Sequence, residues 1–109
     1  MDFGNEDGNT PTYVASKRGL TSITRLLLER GADVNFCNNK GDSPLHLACR
    51  NGSDDIVELL LENGANINSS NNAGVSPLYT ACIYGHESII DLLLNKGAQG
   101  DFLAQVRIH

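Results

Sequence analysis

The chain repeats itself every 33 residues with no insertion. Gly8, Gly41 and Gly74 share one register, as do Thr10-Pro11, Ser43-Pro44 and Ser76-Pro77. The same step links Ala15, Ala48 and Ala81, then Gly19, Gly52 and Gly85, then Ile23, Ile56 and Ile89. It carries on through three leucine triplets at 26–28, 59–61 and 92–94 and closes in Gly31-Ala32, Gly64-Ala65 and Gly97-Ala98. The chain therefore reads as one domain over 1–109, made of three repeats at about 5–37, 38–70 and 71–103 and a tail at 104–109. A unit this small cannot bury an apolar face alone, so its core must be shared with its neighbours.

The middle repeat shows what each unit builds. Asn38 to Asp42 form a cluster of turn residues, suited to a tight, hairpin-like tip. Ser43 is placed to cap a helix, and Pro44 fits its first position, where a missing N–H costs nothing. Leu45, Ala48 and Cys49 follow at helical spacing, and Gly52 ends that helix. Ser53, Asp54 and Asp55 open a second helix, with acid at its positive end. Ile56, Val57, Leu60 and Leu61 form its apolar stripe. After Gly64, residues 65–68 are expected to run extended. Helices of two to three turns are marginal alone in water. Stacked side by side, they give an all-α solenoid of helix-turn-helix units.

Composition narrows the function. A net charge of -5 is unfavourable for phosphate-driven nucleic-acid binding. No apolar run approaches the roughly 20 residues of a membrane helix, and no secretory signal pattern opens the sequence. The cysteines, Cys37, Cys49 and Cys82, form no CxxC motif. They read as buried, reduced thiols and hence as an intracellular protein, cytoplasmic or nuclear.

Ser43-Pro44-Leu45-His46-Leu47-Ala48, Gly85-His86 and Gly31-Ala32-Asp33-Val34-Asn35 resemble the ankyrin repeat, and the resemblance runs from about residue 5 to 101. The end repeats depart from it. Thr12-Tyr13 stands in place of Leu-His, Gly19-Leu20 in place of Gly-His, Tyr79 in place of His, and Gly100-Asp101 in place of the hydrophobic-Asn pair. The resemblance implies a solenoid with short β-hairpin-like finger loops. It also implies a non-catalytic protein-interaction scaffold that holds a partner protein through a concave groove and finger tips. His46 is then a structural residue tying a helix start to the next loop, and His86 orders a loop.

No constellation of reactive residues competes with that reading. Three dispersed histidines offer no zinc site. Cys49 lies three residues after His46 but holds a small core position, as does Cys82. No phosphate-cradling glycine motif occurs, so no cofactor is expected. Asp54, Asp55, Glu58 and Glu62 form rows on a solvated outer face.

Positions that differ among the three copies are free to bind. At the tips these are Glu6, Asp7 and Asn9, then Asn39, Lys40 and Asp42, then Asn72, Ala73 and Val75. Near the end of each first helix they are Lys17-Arg18, Arg50-Asn51 and Ile83-Tyr84. They grade from basic through mixed to apolar and aromatic. Tyr84 is either an interface anchor or a cover for the next repeat. Asn35 and Asn68 resemble asparagines that a dioxygenase hydroxylates in ankyrin repeats, or they brace their turns.

The ends of the stack carry a further expectation. Thr12, Ser16, Thr21, Ser22 and Thr24 give repeat 1 the polar character of a cap. Repeat 3 keeps the interior pattern, and Phe102, Leu103, Val106 and Ile108 follow it. Its open face is covered by further repeats of a longer array, by the tail or by a second copy. The alternative function is accordingly a structural or oligomerisation module, expected as a fragment of a longer array whose exposed C-terminal face stacks on further repeats or on itself.

Overall fold

In the computed structural model, which describes residues 8–98, the period becomes three helix pairs. The first helices are α1 (Pro11–Lys17), α3 (Pro44–Asn51) and α5 (Pro77–Ile83). Their partners are α2 (Thr21–Glu29), α4 (Asp54–Glu62) and α6 (Glu87–Asn95). Each first helix opens on the proline foreseen for it. Its cap, Thr10, Ser43 or Ser76, accepts a hydrogen bond from the backbone N–H three residues on. Gly52 closes α3 in the left-handed region, at φ +79. The described residues contain no strand. The fingers are hairpin-like all the same: Asn38 N–H donates to Asp42 O and Asn71 N–H to Val75 O, both at 3.0 Å. Residues 67–68 turn where an extended run was expected, because Asn66 Oδ1 accepts the Asn68 amide.

The helices stack in two layers, α1–α3–α5 and α2–α4–α6, in a body of 40 × 25 × 20 Å. The core is strung along the stack. Leu45, Ala48, Cys49, Ile56, Val57 and Leu60 join Leu78, Ala81, Ile89 and Leu93. The middle repeat, covered on both sides, holds the largest share of the fully buried side chains. Leu59 is buried too, because repeat 1 lies over the side of α4 on which it stands.

The polar cap foreseen for repeat 1 is reversed at three of its five residues, while Thr21 is half-buried and Ser22 exposed. Thr12, Ser16 and Thr24 are each 0% exposed. They occupy the positions of Leu45, Cys49 and Val57 and are enclosed within the stack. The open side of the repeat shows Val14, Ile23 and Leu26, at 38%, 48% and 47%. The period explains this, since the equivalents Leu47, Ile56 and Leu59 are covered by the preceding repeat. At the other end Leu94 is exposed and Ile90 and Cys82 are half-buried. Phe102, Leu103, Val106 and Ile108 lie outside the described residues.

The thiols also differ from expectation. Only Cys49 is buried; Cys82 is half-buried and Cys37 is exposed on the loop after α2, and all three are free. Burial pushes the Cys49 thiol up to about 12, so it stays protonated and inert.

Candidate functional site

The fingers are built on asparagines. Asn38 Oδ1 accepts from the amides of Lys40 and Asp42, and Asn71 Oδ1 accepts from those of Ala73 and Val75. Each asparagine then reaches back one repeat: Asn38 Nδ2 donates to Asn9 Oδ1, and Asn71 Nδ2 to Asp42 Oδ1. Asn72 adds two more rungs, its side chain to Asn39 O and its backbone amide to Lys40 O. Asn9 and the second and third tips thus form one braced row. Asn38 and Asn71 were missed as positioning residues. Their signal was in the sequence, since Asn5, Asn38 and Asn71 share the 33-residue step.

A second set of bonds fixes the first helices at their starts and at their ends. His46 Nδ1 accepts from the Ser43 backbone N–H and hydroxyl, so Nε2 carries the proton and donates to Val75 O at 2.8 Å. His86 Nε2 donates to Arg50 O at 2.8 Å, and Asn51 Nδ2 donates to Lys17 O. Both histidines have the structural roles expected of them. Desolvation lowers the pKa of His46, more than the Val75 carbonyl and Asp42 raise it.

Between the first two fingers lies a cleft of about 270 Å³, lined by Tyr13, Lys17, Lys40, Asp42 and Arg50 together with finger asparagines. Arg50 is held on two sides, by Asp42 at 3.6 Å and by the Tyr84 ring, whose centroid is 5.9 Å from its guanidinium carbon. Neither Lys17 nor Lys40 has a carboxylate partner among the described residues.

The candidates from the sequence divide accordingly. Asn9, Lys17, Asn39, Lys40 and Arg50 meet at the cleft. Arg18 and Asn51 sit exposed at the same helix ends. Asn72 and Ala73 form the third tip, and Ile83 and Tyr84 stand exposed at 57% and 51%. Asp42 is a correction. It is 4% exposed, because it serves Asn71 and Arg50 from inside the finger. Val75 is half-buried, with its carbonyl engaged by His46. Glu6 and Asp7 lie outside the described residues. Asn35 is exposed but spans two repeats, donating to Gly64 O and accepting from the Asn66 amide. Asn68 is exposed, and its amide donates to Asn66 Oδ1.

Asp54, Asp55, Glu58 and Glu62 are all exposed on α4, away from the fingers. Among the described residues no group of three or more His, Cys, Asp or Glu is placed to hold a metal ion. No described helix is long and apolar enough to cross a membrane.

Two family models match the chain: ankyrin repeats (3 copies) over residues 1–71 and ankyrin repeats (many copies) over 51–94. No curated protein matches it significantly. With the paired helices, proline-led caps and finger ladder, these matches show that the chain belongs to the ankyrin-repeat family, whose members are in general non-enzymatic protein–protein interaction modules.

Proposed function

We propose that this chain is a non-catalytic scaffold that binds a partner protein, inside the cell, across its fingers and the exposed ends of α1, α3 and α5. The observation that carries this is the contrast between a braced frame and unlike side chains mounted on it. Asn38, Asn71, His46 and His86 are consumed in holding the repeats together. Lys17, Arg18, Lys40, Ile83 and Tyr84 are presented to solvent from that frame. A rigid support lowers the entropic cost of binding, so a few such side chains can supply most of the affinity. Arg18, Arg50 and Tyr84 are the first residues to test. Arg50→Ala with Tyr84→Ala should weaken capture of a partner at least tenfold with the helical circular dichroism intact. Unchanged affinity moves the site elsewhere.

A second reading, self-association, is favoured by the two open ends. Val14, Ile23 and Leu26 at one end and Ile90 and Leu94 at the other hold the positions that repeats use to pack on each other. A second copy could therefore add head to tail, in a heterologous contact that does not close. Sedimentation across a hundredfold concentration range tests it. A monomer throughout removes it, whereas growth suppressed by Ile23→Lys supports it.

A further inference from the structure

Among the described residues Lys17, Lys40 and Arg50 gather at the cleft, whereas Arg25, Arg30 and Lys96 stand on or at the ends of α2 and α6. Lys17, Lys40 and Arg50 line the cleft on the finger side of the α1–α3–α5 layer, and Asp42 is the one acidic residue among its described lining. Asp42 is buried and already serves Arg50 and Asn71. In the other layer exposed carboxylates outnumber those basic groups: Asp54, Asp55, Glu58 and Glu62 on α4, Glu87 and Asp91 on α6. A chain with a net charge of -5 thus keeps a locally basic cleft.

We infer that this cleft selects an acidic side chain from the partner, so that the segment held against the first two repeats is an acidic peptide. This rests on the groove reading above and specifies its chemistry. Three arguments support it. Lys17 and Lys40 lack carboxylate partners among the described residues, so both ammonium groups can pair with an incoming carboxylate at little desolvation cost. Arg50 is anchored between Asp42 and Tyr84, so its guanidinium is oriented before the ligand arrives. The cleft, at about 270 Å³, has room for one or two side chains and none for a duplex. A long polyanion would also meet the carboxylates of α4 and α6. A short acidic segment seated on the finger side is shielded from them, because at physiological salt charge interactions fade over about 8 Å. Beyond the cleft, Ile83 and Tyr84 offer an apolar surface to the residue that follows.

The test uses the whole chain, labelled with ¹⁵N, titrated at physiological salt with the peptide acetyl-Glu-Asp-Glu-Leu-Tyr-amide. Its Gln-Asn-Gln counterpart, inorganic phosphate and a thymidine oligonucleotide are titrated in parallel. The acidic peptide should shift the amides around Asn39, Lys40 and Arg50 and bind at least tenfold more tightly than the neutral one. Lys17→Glu with Lys40→Glu should abolish that difference while leaving the helical signal unchanged. Asp55→Lys with Glu58→Lys should preserve it. Equal binding of both peptides at the fingers overturns the charge selection and leaves the groove reading standing. Shifts confined to α4 and α6 overturn both. Failure of the acidic peptide to bind at millimolar concentration overturns the inference. So does tighter binding of phosphate or the oligonucleotide at the same amides.

Discussion

Repeats 1 and 2 share a length, a register and a helix pair, yet at several equivalent positions they bury different chemistries. In repeat 2 the positions that face the preceding unit, Leu47, Ile56 and Leu59, are covered. In repeat 1 the same positions hold Val14, Ile23 and Leu26, and they are open. The positions facing the following unit are enclosed in both, but in repeat 1 they carry Thr12, Ser16 and Thr24. Side-chain character alone therefore does not tell inside from outside in a stack. The neighbour decides, and a hydroxyl can be sealed in while an isoleucine is left in water.

The isoleucines give that comparison its largest test. Ile23, Ile56 and Ile89 are one residue type at one register, 48%, 0% and 0% exposed. Ile56→Ala should cost about 2–5 kcal/mol, since it leaves a cavity closed on both sides. Ile23→Ala should cost under about 1 kcal/mol, because its side chain is already half in water. Urea midpoints measure both. Equal losses would mean that the face of repeat 1 is covered in solution, which would sharpen the case for a second copy stacked there.

The glycines that follow the first helices come next. Gly52 and Gly85 have nearly the same backbone, φ +79 and +73. Alanine at either pays the left-handed penalty of about 1 kcal/mol. A Cβ at Gly52 would also lie 2.7 Å from the His86 ring, whereas one at Gly85 would meet nothing within 4 Å. Because the His86 ring is held by Arg50 O, moving it loses that bond, worth about 1 kcal/mol more. Gly52→Ala should therefore lower the thermal midpoint roughly twice as far as Gly85→Ala. Equal shifts would mean that His86 turns aside freely and does not brace the repeats.

The buried hydroxyls should respond differently. Thr12 Oγ1 is buried with no hydrogen-bond partner, while Thr24 Oγ1 donates to Leu20 O at 2.9 Å. Valine keeps the shape of threonine and removes the hydroxyl. Thr12→Val should stabilise by about 1 kcal/mol, by deleting an unpaired polar group. Thr24→Val should be neutral or lose up to about 1 kcal/mol. If both destabilise, Thr12 has a partner in solution, and the interior of repeat 1 is wetter than its burial implies.

The frame was legible in the sequence because it recurs. Capping residues, proline starts, helix-ending glycines and both histidine roles follow from local chemistry repeated at a fixed step. The candidate site was legible only in outline. Unlike residues at equivalent positions marked Lys17, Lys40 and Ile83 correctly as exposed. The same rule drew in Asp42, because a difference between repeats does not distinguish a finger's outside from its inside. Which carboxylate a finger swallows depends on the asparagine one repeat later, here Asn71. The polar cap misled for a related reason: which face of a short helix meets water is set by the direction of stacking, which composition does not carry.

The smallest expected effect separates the middle repeat from its flanks through pH. Repeat 2 has His46 where repeats 1 and 3 have Tyr13 and Tyr79. In the folded chain His46 Nδ1 must keep its lone pair to accept from Ser43, and burial further opposes a charge on the ring. The folded pKa is therefore depressed below the ordinary histidine value of about 6.5. As pH falls through that value the unfolded chain takes up the proton first, so stability drops. The contribution is whole above about pH 6.5 and declines below it, until the folded histidine protonates too. Urea midpoints from pH 8 down to pH 5 should fall accordingly, and His46→Gln should flatten that part of the curve while lowering stability at pH 8. A slope that survives the substitution would assign the acid sensitivity to other groups. His46 would then be a hydrogen-bonded strut whose protonation the fold tolerates, and the middle repeat would differ from its neighbours in packing alone.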